Sequence, residues 1–394
     1  MKSDTKLTHL GRNPAKHDGV VNTPAYRAST ITFPTVADLL SREKQKYDVS
    51  FYGRYGTPTS FDLEEAAAKV EGGLYGAATS SGMGAIAGTL LACVEAGDHI
   101  LMVDSVYWPT RFFCDKRLKA FGIETTYYDP LIGAGIADLI RPNTKIVFTE
   151  SPGSITFEMQ DIPAIAEAAH KANGGKGVLV AMDNTWSSPL YCNPFALGVD
   201  ISVQAGTKYV VGHSDAMLGL VTTRDKELHT QIKAILGSFG YAPGSEEAYL
   251  GLRGLRTLSV RLERHHRNAL AVAEWLKTRP EVEHVLFPAL PDDPGHGLWQ
   301  RDHSGASGLF GVLCKPFPEE NVTAMLDNMA LFAMGYSWGG YESLIMATHR
   351  SIARTATQWQ HKGTSFRLHI GLEDPDDLIA DLAAGFDRLS GKTA

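Results

Sequence analysis

Through the middle of the chain, short apolar runs alternate with amphipathic stretches. HILMVD (99–104), IETTYYD (123–129), KIVFTES (145–151), GVLVAMDN (177–184), DISVQAGT (200–207) and GLVTT (219–223) are strand-like. GVLVAMDN carries apolar residues without alternation, as a strand covered on both faces does. Between the runs lie helix-like stretches: TSFDLEEAAAKVE (59–71), the segment opening at GMGAIAG (82–88), PTRFFCDKRLKAF (109–121) and DIPAIAEAAHK (161–171). Thr59 with Asp62 resembles a capping box, Gly72-Gly73 ends that helix, and Asp161 caps a helix that Gly174-Gly175 follow. Strands alternating with helices predict an α/β fold with a mostly parallel sheet flanked by helices.

The pattern changes at both ends. Residues 1–60 hold Pro24, Pro34, Gly53, Gly56 and Pro58 but no sustained period. They read as an arm that must lie against something else, its own subunit or a neighbour. From Gly244 a long helical stretch runs to Arg279, with a bend expected at Gly251 or Gly254. VEHVLFP, GLFGVLCK, an NVTAMLDNM helix, SLIMATH and SFRLHIGL follow. In the last, Phe366, Leu368, Ile370 and Leu372 alternate, as in a strand with one covered face. The expected organisation is an arm (1–60), an α/β domain (61–250) and a C-terminal α+β domain (251–394).

Composition narrows the class. Of 394 residues, 44% are hydrophobic and 21% charged, which fits a globular protein and excludes a disordered chain or a disulfide scaffold. Lys and Arg number 37 against 44 Asp and Glu, a net charge of −7, so nucleic acid is not an expected partner. The four cysteines have no CxxC spacing, which fits a reducing compartment. Without an apolar leader or a spanning run, the expectation is a soluble cytoplasmic protein that uses no membrane.

In a parallel sheet, ligands sit beyond the carboxyl ends of the strands. Tyr107 follows HILMVD, Ser151-Pro152 follows KIVFTE, Asp183 follows GVLVAM, and Thr207 and Lys208 follow DISVQAG. The small-residue turn TSSGMG would lie at the same edge and suits a phosphate through its backbone N–H groups. A desolvated lysine can form a Schiff base, and an aspartate can pair with a protonated pyridine nitrogen. With a phosphate cradle, the set describes a pyridoxal 5'-phosphate site.

Several blocks carry a family resemblance. DISVQAGTKYVVGHSDAM around Lys208, YGRYGTPT, MDNTW, RGLRTL and RLHIGLED resemble blocks of the cysteine/methionine-metabolism family of pyridoxal-phosphate enzymes, which have fold type I. GYSWGGYESL (335–344) resembles its cystathionine β-lyase branch. The resemblance implies that Lys208 carries the cofactor and serves as general base and acid, with Tyr107 stacking on the ring and a candidate to protonate the leaving thiolate. Asp183 would hold the ring nitrogen protonated. The backbone of Gly82 and Met83, with Thr207, would hold the phosphate. Tyr52 and Arg54 would reach the phosphate of an adjacent subunit in a homotetramer. Arg367 would clamp the substrate carboxylate, with Ser337 and Trp338 lining that pocket. Ala205 stands where the family usually has a phosphate-binding serine, and residues 230–245 align too poorly to carry over. The implied activity is carbon–sulfur β-elimination of L-cystathionine in methionine biosynthesis, with a γ-lyase, a γ-synthase or a methionine γ-lyase as the alternative.

Other readings compete. Gly82-Met83-Gly84-Ala85-Ile86-Ala87 with Asp104 fits a dinucleotide fingerprint, although YGAATSS before it reads as a poor strand. Gly212-His213-Ser214-Asp215-Ala216 approaches a serine-hydrolase elbow. His265-His266 point about 100° apart on a helix and are expected to be solvated or capping rather than metal ligands. A non-catalytic binding protein would leave Lys208, Asp183 and Arg367 without roles.

Overall fold

The computed structural model describes residues 1–173 and 177–392. Seven strands form the main sheet: β1 (Tyr75–Thr79), β2 (His99–Val103), β3 (Glu124–Tyr128), β4 (Thr144–Glu150), β5 (Leu179–Asp183), β6 (Ile201–Gln204) and β7 (Gly219–Thr223). Their order is β1-β7-β6-β5-β4-β2-β3. The run β3-β2-β4-β5-β6 is parallel, whereas β7 is antiparallel to both β6 and β1. So the ends of β1, β2, β4, β5 and β6 and the start of β7 share one edge. Every residue of β2, β6 and β7 is buried, as in strands covered on both faces.

A second, antiparallel sheet is built from β8 (Val282–Leu286), β9 (Leu309–Cys314), β10 (Leu344–Ala347) and β11 (Ser365–His369), in the order β10-β11-β9-β8. Phe366 and Leu368 pack inward with Phe310, Val312, Leu382 and Phe386. Arg367 lies between them in sequence, so the pleat carries it to the opposite face.

Several local expectations are corrected. YGAATSS does form a strand, β1, held through the antiparallel β7 rather than by a parallel neighbour. The helix Pro58–Glu71 is capped by Thr57 with Ser60, not by Thr59 with Asp62. Thr59 instead donates to the Pro24 carbonyl (2.6 Å) and accepts from the Tyr26 amide (2.8 Å), while Asp62 accepts from Thr23. Both tether the arm to its own chain. The stretch 109–121 splits into an α-turn, Trp108–Phe112, and a π-helical turn, Phe113–Leu118. Asp161 caps Ile162–Lys171 as expected; Gly174-Gly175 lie outside the described residues.

The long helical stretch breaks into Ser245–Leu255 and Leu258–Leu276. At the break, a Cβ on Gly254 would stand 2.0 Å from the Val210 carbonyl oxygen, so only glycine allows this approach. Arg261 then donates to the carbonyls of Tyr209 (2.8 Å) and Gly254 (2.8 Å). His265 is buried, with Nδ1 on the Ile370 carbonyl at 2.7 Å, and half-buried His266 packs edge-on against Tyr191 and Trp299. His265 is thus buried rather than solvated, and His266 is partly exposed.

Candidate active site

The strand tips converge as the pattern predicts. Glu150 ends β4, Asp183 ends β5 directly beside it in register, and Lys208 follows β6. The Lys208 turn is fixed at both ends. The Thr207 amide and hydroxyl donate to the Leu218 carbonyl (3.0 and 3.1 Å), and the Thr207 hydroxyl accepts from the Leu218 amide (2.9 Å).

Asp183 is 9% exposed. Its Oδ1 accepts from the Thr185 amide (3.0 Å) and hydroxyl (2.5 Å). The Thr185 hydroxyl in turn accepts from the Ala205 amide at 2.9 Å, linking β5 to the Lys208 turn. Burial raises the Asp183 carboxyl above the usual range, against the pull of the Thr185 bonds and of the Lys208 charge. Among the described residues no donor occupies Oδ2. A buried carboxylate of this kind suits a cationic ring N–H.

Lys208 donates to Ser337 Oγ at 2.8 Å and lies 5.2 Å from the Trp338 ring centroid. Desolvation, then the charge of Arg367, lower its amine to about 8, with Asp183 opposing. Gly339, at φ +91°, rests on the Lys208 backbone: a Cβ there would lie 2.9 Å from the Lys208 Cα. Its amide donates to His369 Nε2 at 3.0 Å. The 337–340 loop therefore covers Lys208.

Arg367 extends from β11 beneath that loop, donating to the carbonyls of Gly335 (3.1 Å) and Tyr336 (3.3 Å). Tyr107 is 44% exposed, and its amide donates to Glu150 Oε2 at 2.8 Å. Burial, followed by the charges of Asp183 and Glu150, raises its phenol, and Arg367 acts oppositely. Burial also holds the Glu150 carboxyl well above its usual range.

On the other side, Ser81 caps the helix Gly82–Cys93 by accepting from the Gly84 amide (3.0 Å). Among the described residues the amides of Gly82 and Met83 have no acceptor, as expected of a first helical turn that awaits an anion. A Cβ on Gly82 would lie 2.6 Å from the Ala205 Cβ, so the turn lies directly against the chain leading to Lys208. Free amides, a lone buried carboxylate and a desolvated amine fit pyridoxal 5'-phosphate in the donor set they present.

A model of the Cys/Met metabolism PLP-dependent enzymes matches residues 4–387. The chain belongs to that family. It is 47% identical to a putative cystathionine beta-lyase of Rhizobium johnstonii, covering 98% of this chain and 96% of the relative. It is 45% identical to the cystathionine beta-lyase MetC of Escherichia coli K12, covering 98% and 99%. Among solved structures, metB from Corynebacterium glutamicum superposes with a TM-score of 0.90 at 32% identity, covering 99% of this chain and 98% of that one. The family is PLP-dependent, and its fold is the α/β architecture described above.

Most, but not all, of the site residues implied by the resemblance come together. Lys208, Asp183, Tyr107, Arg367, Ser337 and Trp338 meet, with Gly82, Met83 and Thr207 alongside. Tyr52 and Arg54 do not join them. Arg54 donates to the Gly237 carbonyl and lies 5.7 Å from the Tyr52 ring. Arg54 lines a cleft with Glu64, Lys233 and Tyr241. The Tyr241 carbonyl accepts from Ser80 at 3.2 Å, so this cleft adjoins the small-residue turn.

Rival motifs have other occupations. Asp104, the acid of the dinucleotide fingerprint, is buried against Arg111 and the amides of Thr355–Thr357. Ser214, the elbow serine, donates to Glu342 at 2.6 Å. The sequence assigns no role to Glu150, Thr185 or His369. Glu150 and Thr185 stand at or beside strand tips, and Thr185 and His369 lie within MDNTW and RLHIGLED, so their positions were the available signal.

Proposed function

We propose that this chain is a carbon–sulfur β-lyase that converts L-cystathionine and water to homocysteine, pyruvate and ammonia, within methionine biosynthesis. The observation that carries the reading is the 2.8 Å contact from Lys208 to Ser337, in the same loop that covers Lys208 with Trp338. The near-full-length likeness to cystathionine beta-lyases supports it.

Lys208 would hold the cofactor, Asp183 its ring nitrogen, Tyr107 its ring face, and Gly82, Met83 and Thr207 its phosphate. The bound cofactor supplies an electron sink for the pair left on the substrate Cα. Arg367 would fix the substrate carboxylate through a two-pronged guanidinium contact, with Ser337 and Trp338 lining that pocket. Lys208, released as a free amine, would take the Cα proton at Nζ. A depressed amine suits this step, because a neutral fraction is present near neutral pH. Lys208 or the Tyr107 hydroxyl would then deliver a proton to the departing sulfur.

Tyr52 and Arg54 would complete the phosphate site of an adjacent subunit in a homotetramer. The exposed apolar residues Val20, Val21, Val36 and Leu40 of the 1–60 arm support such contacts. Separate apolar clusters around the two sheets support an α/β and an α+β part, while a third cluster holding Leu7, Leu63 and Leu258 packs the arm and the 250 junction together. Among the described residues no helix is long and apolar enough to cross a membrane.

The deciding experiment incubates the holoenzyme with L-cystathionine and identifies products by mass spectrometry. Pyruvate with homocysteine is expected. 2-Oxobutyrate with cysteine would overturn the β assignment in favour of γ-elimination.

A further inference from the structure

The connection between β10 and β11, residues 348–364, is far longer than the roughly 2–5 residues of ordinary hairpin loops. It leaves the small sheet, reaches the large one and returns. No residue from 349 to 363 is buried, and none belongs to an apolar cluster. Polar fastenings hold it instead.

The main fastening is Asp104, at the tip of β2. It is 1% exposed and accepts from three successive amides: Thr355 (2.9 Å), Ala356 (3.0 Å) and Thr357 (2.9 Å). The hydroxyls of Thr355 (3.1 Å) and Thr357 (3.0 Å) add to these. Arg111 binds the same carboxylate at 2.6 Å and reaches the Thr355 hydroxyl at 3.2 Å. A second fastening joins Arg354 to Glu158 (2.6 Å) and to the Thr156 hydroxyl (2.5 Å).

Asp104 stands three residues before Tyr107, and the strap runs directly into β11, which bears Arg367. We propose that Asp104 is a positioning residue: by fastening the 348–364 strap it sets Tyr107 against Arg367 and so fixes the width of the substrate site. It touches neither substrate nor cofactor. The proposal rests on the lyase reading for its kinetic consequence, whereas the state of the strap can be read without any substrate.

Asp104→Asn tests it. The amide keeps the shape but turns a donor toward the amides it must accept from, so the fastening is lost. The Arg354 side chain is 5% exposed, so in the wild-type holoenzyme trypsin is expected to cut after Arg354 far more slowly than after Arg350, whose side chain is 72% exposed. In Asp104→Asn, cleavage after Arg354 should accelerate about tenfold or more, as expected of a segment held only locally. KM for L-cystathionine should rise about fivefold or more through misplacement of the binding groups, with cofactor still retained on Lys208. A merely structural defect would lower the active fraction and leave KM alone. Continued protection of Arg354, or an exposed Arg354 with wild-type KM, would overturn the proposal. If Asp104→Asn fails to fold, Thr355→Val/Thr357→Val removes two hydroxyl donors and keeps the amides. It should give the same pattern at smaller amplitude, and wild-type protection and KM would count against the strap. Should L-cystathionine prove not to be the substrate, the trypsin result still stands as the test of the fastening.

Discussion

Two lysines in this molecule are shielded from water in opposite ways. Lys233 lies in a helix packed on β1, and its ammonium meets both oxygens of Glu64 at 2.7 and 2.9 Å, with each side chain under 8% exposed. Lys208 sits at the strand tips with a hydroxyl as its hydrogen-bond partner, a carboxylate near but not in contact, and the Arg367 cation close by. The first setting supplies a counter-ion for the charge and the second discourages the charge. A buried lysine therefore reads as structural or chemical according to what faces its Nζ, and burial alone does not decide.

The sharpest way to break that contrast is to remove each amine's function. Lys208→Ala should cut turnover by about 10^3-fold or more, the scale of a lost proton-transfer and covalent group, while the fold persists. Steady-state kinetics beside a thermal melt check both halves. At the other lysine, Glu64→Gln strands the Lys233 charge in the interior and should cost about 3–5 kcal/mol of stability. Surviving folded protein should keep its rate constants, and a variant that melts normally would refute the contrast. Asp183→Asn should lower kcat by about 10^2-fold or more while retaining cofactor, because an amide cannot oppose a ring cation electrostatically. Arg367→Lys should raise KM about tenfold with a smaller change in kcat, since an ammonium cannot reproduce the guanidinium fork.

The smallest effect is a pH dependence. An amine lowered to about 8 is half neutral there, whereas an ordinary lysine is almost wholly charged. Capture of added cofactor by the cofactor-free protein requires the neutral amine. Its rate should therefore rise with pH and level off above about 8. A rate still climbing through pH 10 would place Lys208 with ordinary lysines.

Much of this was legible in the chain. The tips of β2, β5 and β6 could be found because buried parallel strands end abruptly in polar residues, which brought Tyr107, Asp183 and Lys208 to one edge. What could not be read is what depends on distant contact. Thr59 and Asp62 have the spacing of a capping box, yet the arm's Pro24, Tyr26 and Thr23 engage them from more than thirty residues away. Asp104 looked like a ribose-binding acid because its partners lie some 250 residues downstream. The reversed β7 was likewise invisible, since apolar pattern carries no strand direction.

One feature gives the Lys208 turn an unusual division of labour. Gly339 presses on its backbone from one side, Gly254 packs closely on the Val210 carbonyl, Arg261 donates to the Tyr209 carbonyl, and Thr207 is bonded to Leu218. The anchor of the side chain is thus immobilised while four methylenes remain free to turn. The amine behaves as a weight on a short tether whose arc is set by its stem and by Ser337 and Trp338 on the loop that covers it. Reaction geometry is then stored in the glycines that admit the neighbouring chains. A methyl group added at Gly339 or Gly254 would shift the pivot, and every point the amine reaches would shift with it.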